Sequence, residues 1–109
     1  MKKTEYSPFR KDANDALKRS KKKDLPHNID KFYLKKLFDS QKGLCSLTRI
    51  KMKKKRGFLL SKSLDRIEPE KGYCRGNLRY VIRFVNLGSG DRPEGEILEI
   101  LNLLKINYN

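Results

Sequence analysis

Residues 63–91, SLDRIEPEKGYCRGNLRYVIRFVNLGSGD, carry the pattern that decides the fold. Residues 63–67 alternate polar and apolar side chains, which is typical of a short strand. One proline and two glycines interrupt the pattern over 68–76, so a loop is expected there, with a second short strand over 78–81. From Ile82 onward the apolar residues shift to helical spacing, until two further glycines end the helix. The stretch therefore predicts the order strand, loop, strand and helix.

Three polar residues of this stretch stand where local propensity does not favour them. Asp65 lies inside the first strand, Asn77 at the exit of the loop, and Asn86 inside the helix. Asp and Asn are poor strand and helix residues, because their short side chains compete for backbone hydrogen bonds. Local propensity therefore does not explain these three residues, and a functional role is a possible explanation of their positions.

The same stretch resembles the HNH endonucleases, the ββα-metal or His-Me finger. Within them it resembles a branch with the pattern S-[IL]-D-R-I-[DE]-P-x-K-G-Y-x-x-[GD]-N-[VL]-x-[WY]-V, followed by an Asn in the helix. The matching residues are Ser63, Leu64, Asp65, Arg66, Ile67, Pro69, Lys71, Gly72, Tyr73, Gly76, Asn77, Leu78, Tyr80, Val81 and Asn86. The preceding GLCSLTRI, residues 43–50, is similar to the lead-in of that branch, with Arg49 in the place of a Gly. The resemblance covers about residues 28–104.

The resemblance implies an α+β fold, a small single domain built on a ββα-metal finger with flanking helices. The expected division is a basic N-terminal arm or helix over 1–27 and an HNH-like nuclease domain over 28–109, with its ββα core at about 61–90. The implied activity is metal-dependent hydrolysis of DNA phosphodiester bonds, by nicking or by double-strand cutting. Such an endonuclease would be of phage or mobile-element type.

By the same resemblance, Asp65 and Asn86 are the metal ligands. A hard cation such as Mg2+ or Mn2+ prefers oxygen ligands and keeps several waters, so one carboxylate and one amide oxygen suffice when substrate phosphate completes the shell. Asn77 is expected to hold the loop between the strands through bonds from its side chain to the backbone. Asp65, Arg66 and Asn77 are thus the expected catalytic residues.

Arg66 occupies the position where many HNH enzymes have a His that acts as general base. An arginine cannot take up a proton at working pH. Arg in this position is a feature of the branch that the sequence resembles, and we expect it to clamp the scissile phosphate. The base is then a water held by substrate phosphate or a residue that the sequence does not identify, with Tyr73, Tyr80 and His27 as the other candidates.

The charge of the chain indicates a polyanionic partner. The 109 residues carry a formal net charge of +14, which favours nucleic acid, here double-stranded DNA. The charge is clustered at 21–23 and at KMKKKR, residues 51–56, in the tip of a hairpin predicted over 44–62. A solvated basic surface is the alternative. The residues expected to contact nucleic acid are Lys21, Lys22, Lys23, Lys51, Lys53, Lys54, Lys55, Arg56, Lys71, Arg75, Arg79 and Arg83.

Cysteine usage and hydropathy indicate where the protein works. Cys45 and Cys74 do not form a C-x-x-C pair, so no structural zinc is expected, and free thiols fit a reducing cytoplasm. No apolar run approaches membrane-spanning length, and the first residues lack the apolar centre of a signal peptide. A cytoplasmic, soluble protein without a membrane partner is expected; the sequence leaves its oligomeric state open, a monomer being the simplest case.

Three helices are predicted outside the central stretch. Ala and Leu at helical spacing indicate a weak helix over 8–20 that leads into the first basic cluster. Asn28 or Asp30 can cap a second helix over 30–42. An acidic helix over 93–105 with an apolar stripe is expected to close the core.

Two other interpretations of the chain stay open. It could be an HNH-like domain that binds nucleic acid without cutting it, or a protein that binds or cuts RNA. In the first case Asp65 and Arg66 would form an internal ion pair, and Asn77 and Asn86 would cap local backbone groups.

Overall fold

The computed structural model of the chain describes residues 3–89, and the side chains of residues 5–86. In chain order the elements are α1 (Lys3–Lys23), α2 (Lys31–Ser40), β1 (Lys62–Arg66), a 3-10 turn (Pro69–Lys71), β2 (Leu78–Ile82) and α3 (Arg83–Ser89). The fold is α+β and forms one small domain, as predicted. The helix predicted over 93–105 lies outside the described residues. Within 3–89, no helix combines the length and the apolar character that crossing a membrane requires.

The central stretch folds as strand, loop, strand and helix. β1 and β2 pair antiparallel, with Ser63 opposite Val81 and Asp65 opposite Arg79. The predicted strand bounds are correct to within one residue. α3 begins directly where β2 ends, and it packs against both strands. A ββα unit is therefore present at the predicted position.

The core lies where α1, α2 and β2 meet. Phe9 from α1, Phe38 from α2 and Tyr80 from β2 form an aromatic trio with ring centroids 5.5, 5.7 and 6.2 Å apart. Tilted and edge-on contacts of this kind stabilise beyond the burial of the rings themselves. Leu34 and Ile82 are fully buried beside them. The trio ties the two N-terminal helices to the sheet.

The helix predicted over 8–20 is confirmed and is longer at both ends, since α1 is Lys3–Lys23 and Pro8 lies inside it. Phe9 and Ala16 are buried on its inner face. The basic cluster 21–23 forms its last turn. The described part of the predicted arm over 1–27 is therefore packed onto the domain and does not project from it.

The second helix is confirmed with Asp30 as its N-cap. The Asp30 carboxylate accepts a 2.9 Å hydrogen bond from the Tyr33 backbone N–H, which satisfies one of the unpaired donors of the first turn. The other capping candidate, Asn28, instead accepts a 2.8 Å bond from the Arg75 backbone N–H. The helix ends at Ser40, two residues before the predicted end.

The hairpin predicted over 44–62 is wrong. Residues 41–61 form turns with two isolated bridges, Leu44 with Lys51 and Lys53 with Ser61, and no strand precedes β1 within the described range. Hydrogen bonds from side chains hold this segment, where a hairpin would have a ladder of backbone hydrogen bonds. The Ser61 hydroxyl donates to the Lys55 carbonyl at 2.6 Å, so the chain closes on itself instead of running back alongside.

Candidate metal and nucleic-acid site

Asn86 is hydrogen-bonded to β1. Its Nδ2 donates to the Ser63 Oγ at 2.6 Å and to the Leu64 carbonyl at 3.4 Å. Side chains two residues apart in a strand project to the same face, so Ser63 and Asp65 share one face of β1. The structure thus brings Asp65 and Asn86 to the same face of the sheet, as the sequence analysis paired them.

These two side chains carry the kinds of oxygen atom that a hard divalent cation prefers. Asp65 supplies a carboxylate, and Asn86 supplies the Oδ1 of an amide whose Nδ2 is directed at β1. Within residues 3–89, no group of three or more His, Cys, Asp or Glu side chains lies close enough together to hold a metal ion. A cation at Asp65 and Asn86 would therefore take its remaining ligands from water and from substrate phosphate.

Arg79 lies directly at the carboxylate of Asp65. The two residues face each other across the sheet, and the Arg79 Nε donates to the Asp65 Oδ2 at 2.9 Å. Both side chains are partly exposed. This differs from the internal ion pair with Arg66 that the alternative interpretation expected. Arg79, predicted as a surface contact to nucleic acid, thus belongs to the candidate site itself.

Arg66 lies on the other face of β1. It is opposite Leu78, and its Nη1 donates to the Pro69 carbonyl at 2.9 Å. Its guanidinium lies 5.1 Å from the centroid of the Tyr73 ring. These contacts attach Arg66 to the loop between the strands. A role at the scissile phosphate stays a prediction for Arg66, and the guanidinium beside Asp65 is that of Arg79.

Asn77 holds the loop between the strands, as predicted. Its Oδ1 accepts from the Glu68 backbone N–H at 2.9 Å, and its Nδ2 donates to the carbonyls of Glu68 at 3.0 Å and Gly72 at 2.7 Å. Gly72 has a φ of 77°, and a Cβ there would collide with the Pro26 backbone. Asn77 therefore sets the path of the chain between β1 and β2, and its contacts are with the protein backbone.

The three side chains considered as general base have contacts that disfavour this role. The Tyr80 hydroxyl donates to the Asp12 Oδ2 at 2.6 Å, and burial together with the Asp12 charge raises the pKa of Tyr80 far above its ordinary value. Tyr73 is buried, with the Arg66 guanidinium over its ring. The Nε2 of His27 is shielded from solvent and has no hydrogen-bond partner within the described part of the chain. Of the bases that the sequence suggested, a water held by substrate phosphate is the one that these contacts leave open.

A cleft of about 460 Å3 opens beside Ser63 and Asn86. Arginines from three parts of the chain line it, namely Arg19, Arg56 and Arg83. The sequence analysis did not include Arg19. Its spacing from the buried Ala16 in α1 places it near the inner face of that helix, a signal that could have identified it.

Asp12 joins α1 to the sheet through a buried network. Its Oδ2 accepts from the Lys62 Nζ and from the Tyr80 hydroxyl, both at 2.6 Å, while its Oδ1 accepts from Arg56 at 3.1 Å. The Lys62 side chain is 1% exposed and that of Asp12 is 10% exposed. Burial lowers the pKa of Lys62, and the Asp12 charge opposes that shift. No local pattern of the sequence indicates this connection, because the three partners of Asp12 lie 44, 50 and 68 residues from it.

Some of the residues predicted to contact nucleic acid make ion pairs or ring contacts within the protein, and others do not lie in such contacts with acidic residues of the described range. Arg56 is bonded to Asp12 and Asp15, Lys71 pairs with Glu68 at 2.9 Å, and the Arg75 guanidinium lies 5.4 Å from the Tyr33 ring centroid. The remaining predicted contacts outside the sheet are exposed at the surface, namely Lys21, Lys22, Lys23, Lys51, Lys53, Lys54, Lys55 and Arg83.

Both cysteines are free thiols. Cys45 is buried, and its Sγ accepts from the backbone N–H groups of Thr48 and Ile82, each at 3.4 Å. Cys74 is partly buried. The thiol of Cys45 thus serves the packing between the turn at 45–48 and β2.

No family model matches the chain, and no curated protein or solved structure matches it either. The motif and the geometry around Asp65 and Asn86 are therefore the features of the chain that bear on its function.

Proposed function

We propose that the protein is a metal-dependent DNA endonuclease of the HNH type. The observation that carries the proposal is the docking of Asn86 onto Ser63, two residues from Asp65 on one face of β1. The ββα order, the cleft lined by arginines and the net charge of +14 support it.

The residues of the site divide the work by their chemistry. A divalent metal held by Asp65 and Asn86 would stabilise the negative charge that grows on the leaving oxygen. Arg79 would orient the Asp65 carboxylate through its bond to Oδ2, and the cation would bind at that carboxylate. Arg19 and Arg83 line the cleft, and they would bind phosphates on either side of the cut.

The test is cleavage of a supercoiled plasmid with Mg2+ or Mn2+, with and without EDTA. We expect nicked or linear product in the presence of metal and none with EDTA. Asp65→Asn keeps the shape of the side chain and removes its charge, so it should abolish cleavage. Asp39→Asn is the matched control, because Asp39 is an exposed carboxylate on α2 paired with Lys35, and it should cleave normally. Equal cleavage by Asp65→Asn and wild type would refute the assigned site.

A second function is favoured by one observation. Asp65 is paired with Arg79. A domain that binds DNA without cutting it would use such an ion pair to neutralise a partly exposed carboxylate. In that case the plasmid stays intact with either metal, while a gel shift still detects the complex. Competition by duplex RNA in the same gel shift tests whether RNA is the preferred partner.

The proposal includes a partner and a location. Double-stranded DNA is the substrate, and the role is that of a phage or mobile-element nuclease. A cytoplasmic location suits two free thiols, since thiols stay reduced there.

A further inference from the structure

A short turn in the basic segment is built rigidly around a buried hydroxyl. Ser61 is 2% exposed, and its Oγ donates to the Lys55 carbonyl at 2.6 Å and accepts from the Phe58 backbone N–H at 3.0 Å. Gly57 lies within the turn with a φ of 104°, a conformation that favours glycine. Residues 55–61 therefore have a defined shape.

This turn presents two large apolar side chains to solvent. Phe58 is 44% exposed and Leu59 is 54% exposed, and they are adjacent in the chain. Cations surround them, since the Lys53 Nζ lies 5.0 Å from the Phe58 ring centroid, and Lys54 and Lys55 are exposed just before the turn. A partner that fits this surface has an apolar interior behind a negatively charged edge, which is the chemistry of stacked bases between phosphates.

The turn is joined directly to the helix of the candidate site. The Leu59 carbonyl accepts from the Phe84 backbone N–H at 3.0 Å, and the Ser61 carbonyl accepts from the Arg83 backbone N–H at 2.8 Å. Asn86 lies in the same helix. Gly57 lines the cleft next to Asn86. Phe58 and Leu59 therefore belong to a turn that is bonded to the helix of Asn86 and that lines the same cleft through Gly57 and Ser61.

We propose that Phe58 and Leu59 form a wedge that enters duplex DNA between neighbouring base pairs and bends it at the cleft. The lysines around the wedge bind the phosphates on both sides of the opened step. Proteins that enter the minor groove use apolar side chains in this way, at a cost of a few kcal/mol of unstacking per step. Pyrimidine–purine steps unstack most easily, so the wedge would favour them. This inference rests on the proposed function only in requiring duplex DNA as partner.

The test measures unwinding, because a wedge between base pairs unwinds the duplex. Closed circular plasmid is relaxed by a metal-independent topoisomerase with the protein bound and EDTA present, and then freed of protein. Wild type should leave negative supercoils in proportion to the bound protein. Phe58→Ala with Leu59→Ala should leave almost none at a concentration that gives equal binding. Phe32→Ala is the matched control, since Phe32 is an aromatic residue 57% exposed on α2, and it should behave as wild type.

Three outcomes would overturn the wedge. The first is wild-type protein that binds the plasmid and leaves it relaxed. The second is a double variant whose free form melts several degrees lower than wild type, because Phe58 and Leu59 would then be covered by another part of the chain. The third is a wild type that sediments as a dimer and a double variant that sediments as a monomer, which would assign the surface to a second copy. Because EDTA excludes cleavage, the unwinding assay does not depend on nuclease activity. Unwinding in EDTA together with no cleavage in the assay with Mg2+ or Mn2+ would refute the proposed function and leave the wedge standing.

Discussion

Asp65 lies between two arginines, one that follows it in the chain and one that faces it across the sheet. Neighbouring strand residues point to opposite faces, so Arg66 contacts the loop at Pro69 while Arg79 contacts Asp65. The period of two could have shown from the sequence that Asp65 and Arg66 cannot share a face. It could not have shown the partner, because that depends on the register between β1 and β2.

Arg79→Ala and Arg66→Ala should therefore affect the metal differently. Removing Arg79 leaves the Asp65 charge without its guanidinium, so we expect half-maximal cleavage at a several-fold lower Mg2+ concentration, with weaker DNA binding. Arg66→Ala should leave the Mg2+ dependence unchanged, since its side chain lies on the other face. Cleavage rates across a series of Mg2+ concentrations measure this. The reverse pattern would make Arg66 the arginine of the metal site.

Asn77 is the residue whose role the sequence predicted best, because an Asn at the exit of a loop with two glycines has few ways to satisfy its amide. Asn77→Ala removes three hydrogen bonds and takes the Asn77 partner from the part-buried Glu68 N–H and from the buried Gly72 carbonyl. We expect a loss of roughly 2–4 kcal/mol in the free energy of unfolding. Urea denaturation measures it. Asn14→Ala on the exposed side of α1 is the control, with a change within about 0.5 kcal/mol; an equally small change at Asn77 would contradict the assigned role.

At the scale of elements, the sequence predicted α1 as a helix, and it did not predict how that helix docks on the domain. Its helical spacing is local, whereas its docking depends on Asp12 meeting Lys62 and Tyr80, contacts that no local pattern reports. Asp12→Ala would leave Lys62 buried without a counter-ion, so we expect a loss of about 3–5 kcal/mol in the free energy of unfolding.

Asp15→Ala is the control for that change, since Asp15 is more exposed and pairs with the exposed Arg56, and it should cost less than about 1 kcal/mol. The double change Asp12→Ala with Lys62→Met should recover part of the loss, because it removes the unpaired charge. Thermal and urea unfolding of wild type and these three variants measure the losses. Equal losses for Asp12→Ala and Asp15→Ala would mean that α1 is held by packing alone.

The segment 41–61 shows where a sequence pattern fails at this scale. Apolar residues on both sides of a charged run are typical of a hairpin, but Ser61 and Cys45 bond to nearby backbone groups and give the chain another path.

The exposed lysines of the segment 41–61 should contribute to DNA binding and not to the chemistry of cleavage. Lys53→Ala, Lys54→Ala and Lys55→Ala together should weaken DNA binding several-fold and leave the rate at saturating protein intact. A collapse of the saturated rate with unchanged binding would place this segment in the active site.

For the whole molecule, the sequence predicted the fold class and the ββα unit because both depend on contacts close in the chain. The aromatic trio of Phe9, Phe38 and Tyr80 joins elements that lie up to seventy-one residues apart, and periodicity carries no information about such pairings. The sequence predicted that Asp65 of β1 and Asn86 of α3 belong to one site. It did not predict the cleft beside them, since α1, which is distant in the chain, supplies one of its walls.

The net charge of +14 belongs to the whole molecule and sets how binding depends on salt. Each phosphate neutralised by a lysine or arginine releases counterions, so the logarithm of affinity falls against the logarithm of salt concentration by about 0.9 per contact. We expect a slope of several units in fluorescence anisotropy at increasing KCl without divalent metal. Replacing Lys53, Lys54 and Lys55 with Ala should reduce the slope by up to about 3, if each contacts one phosphate. Phe58→Ala with Leu59→Ala is the matched control, because it removes apolar contacts and should lower affinity at an unchanged slope. A flat salt dependence in wild type would show that phosphate contacts do not dominate, and it would remove the charge as an argument for nucleic acid.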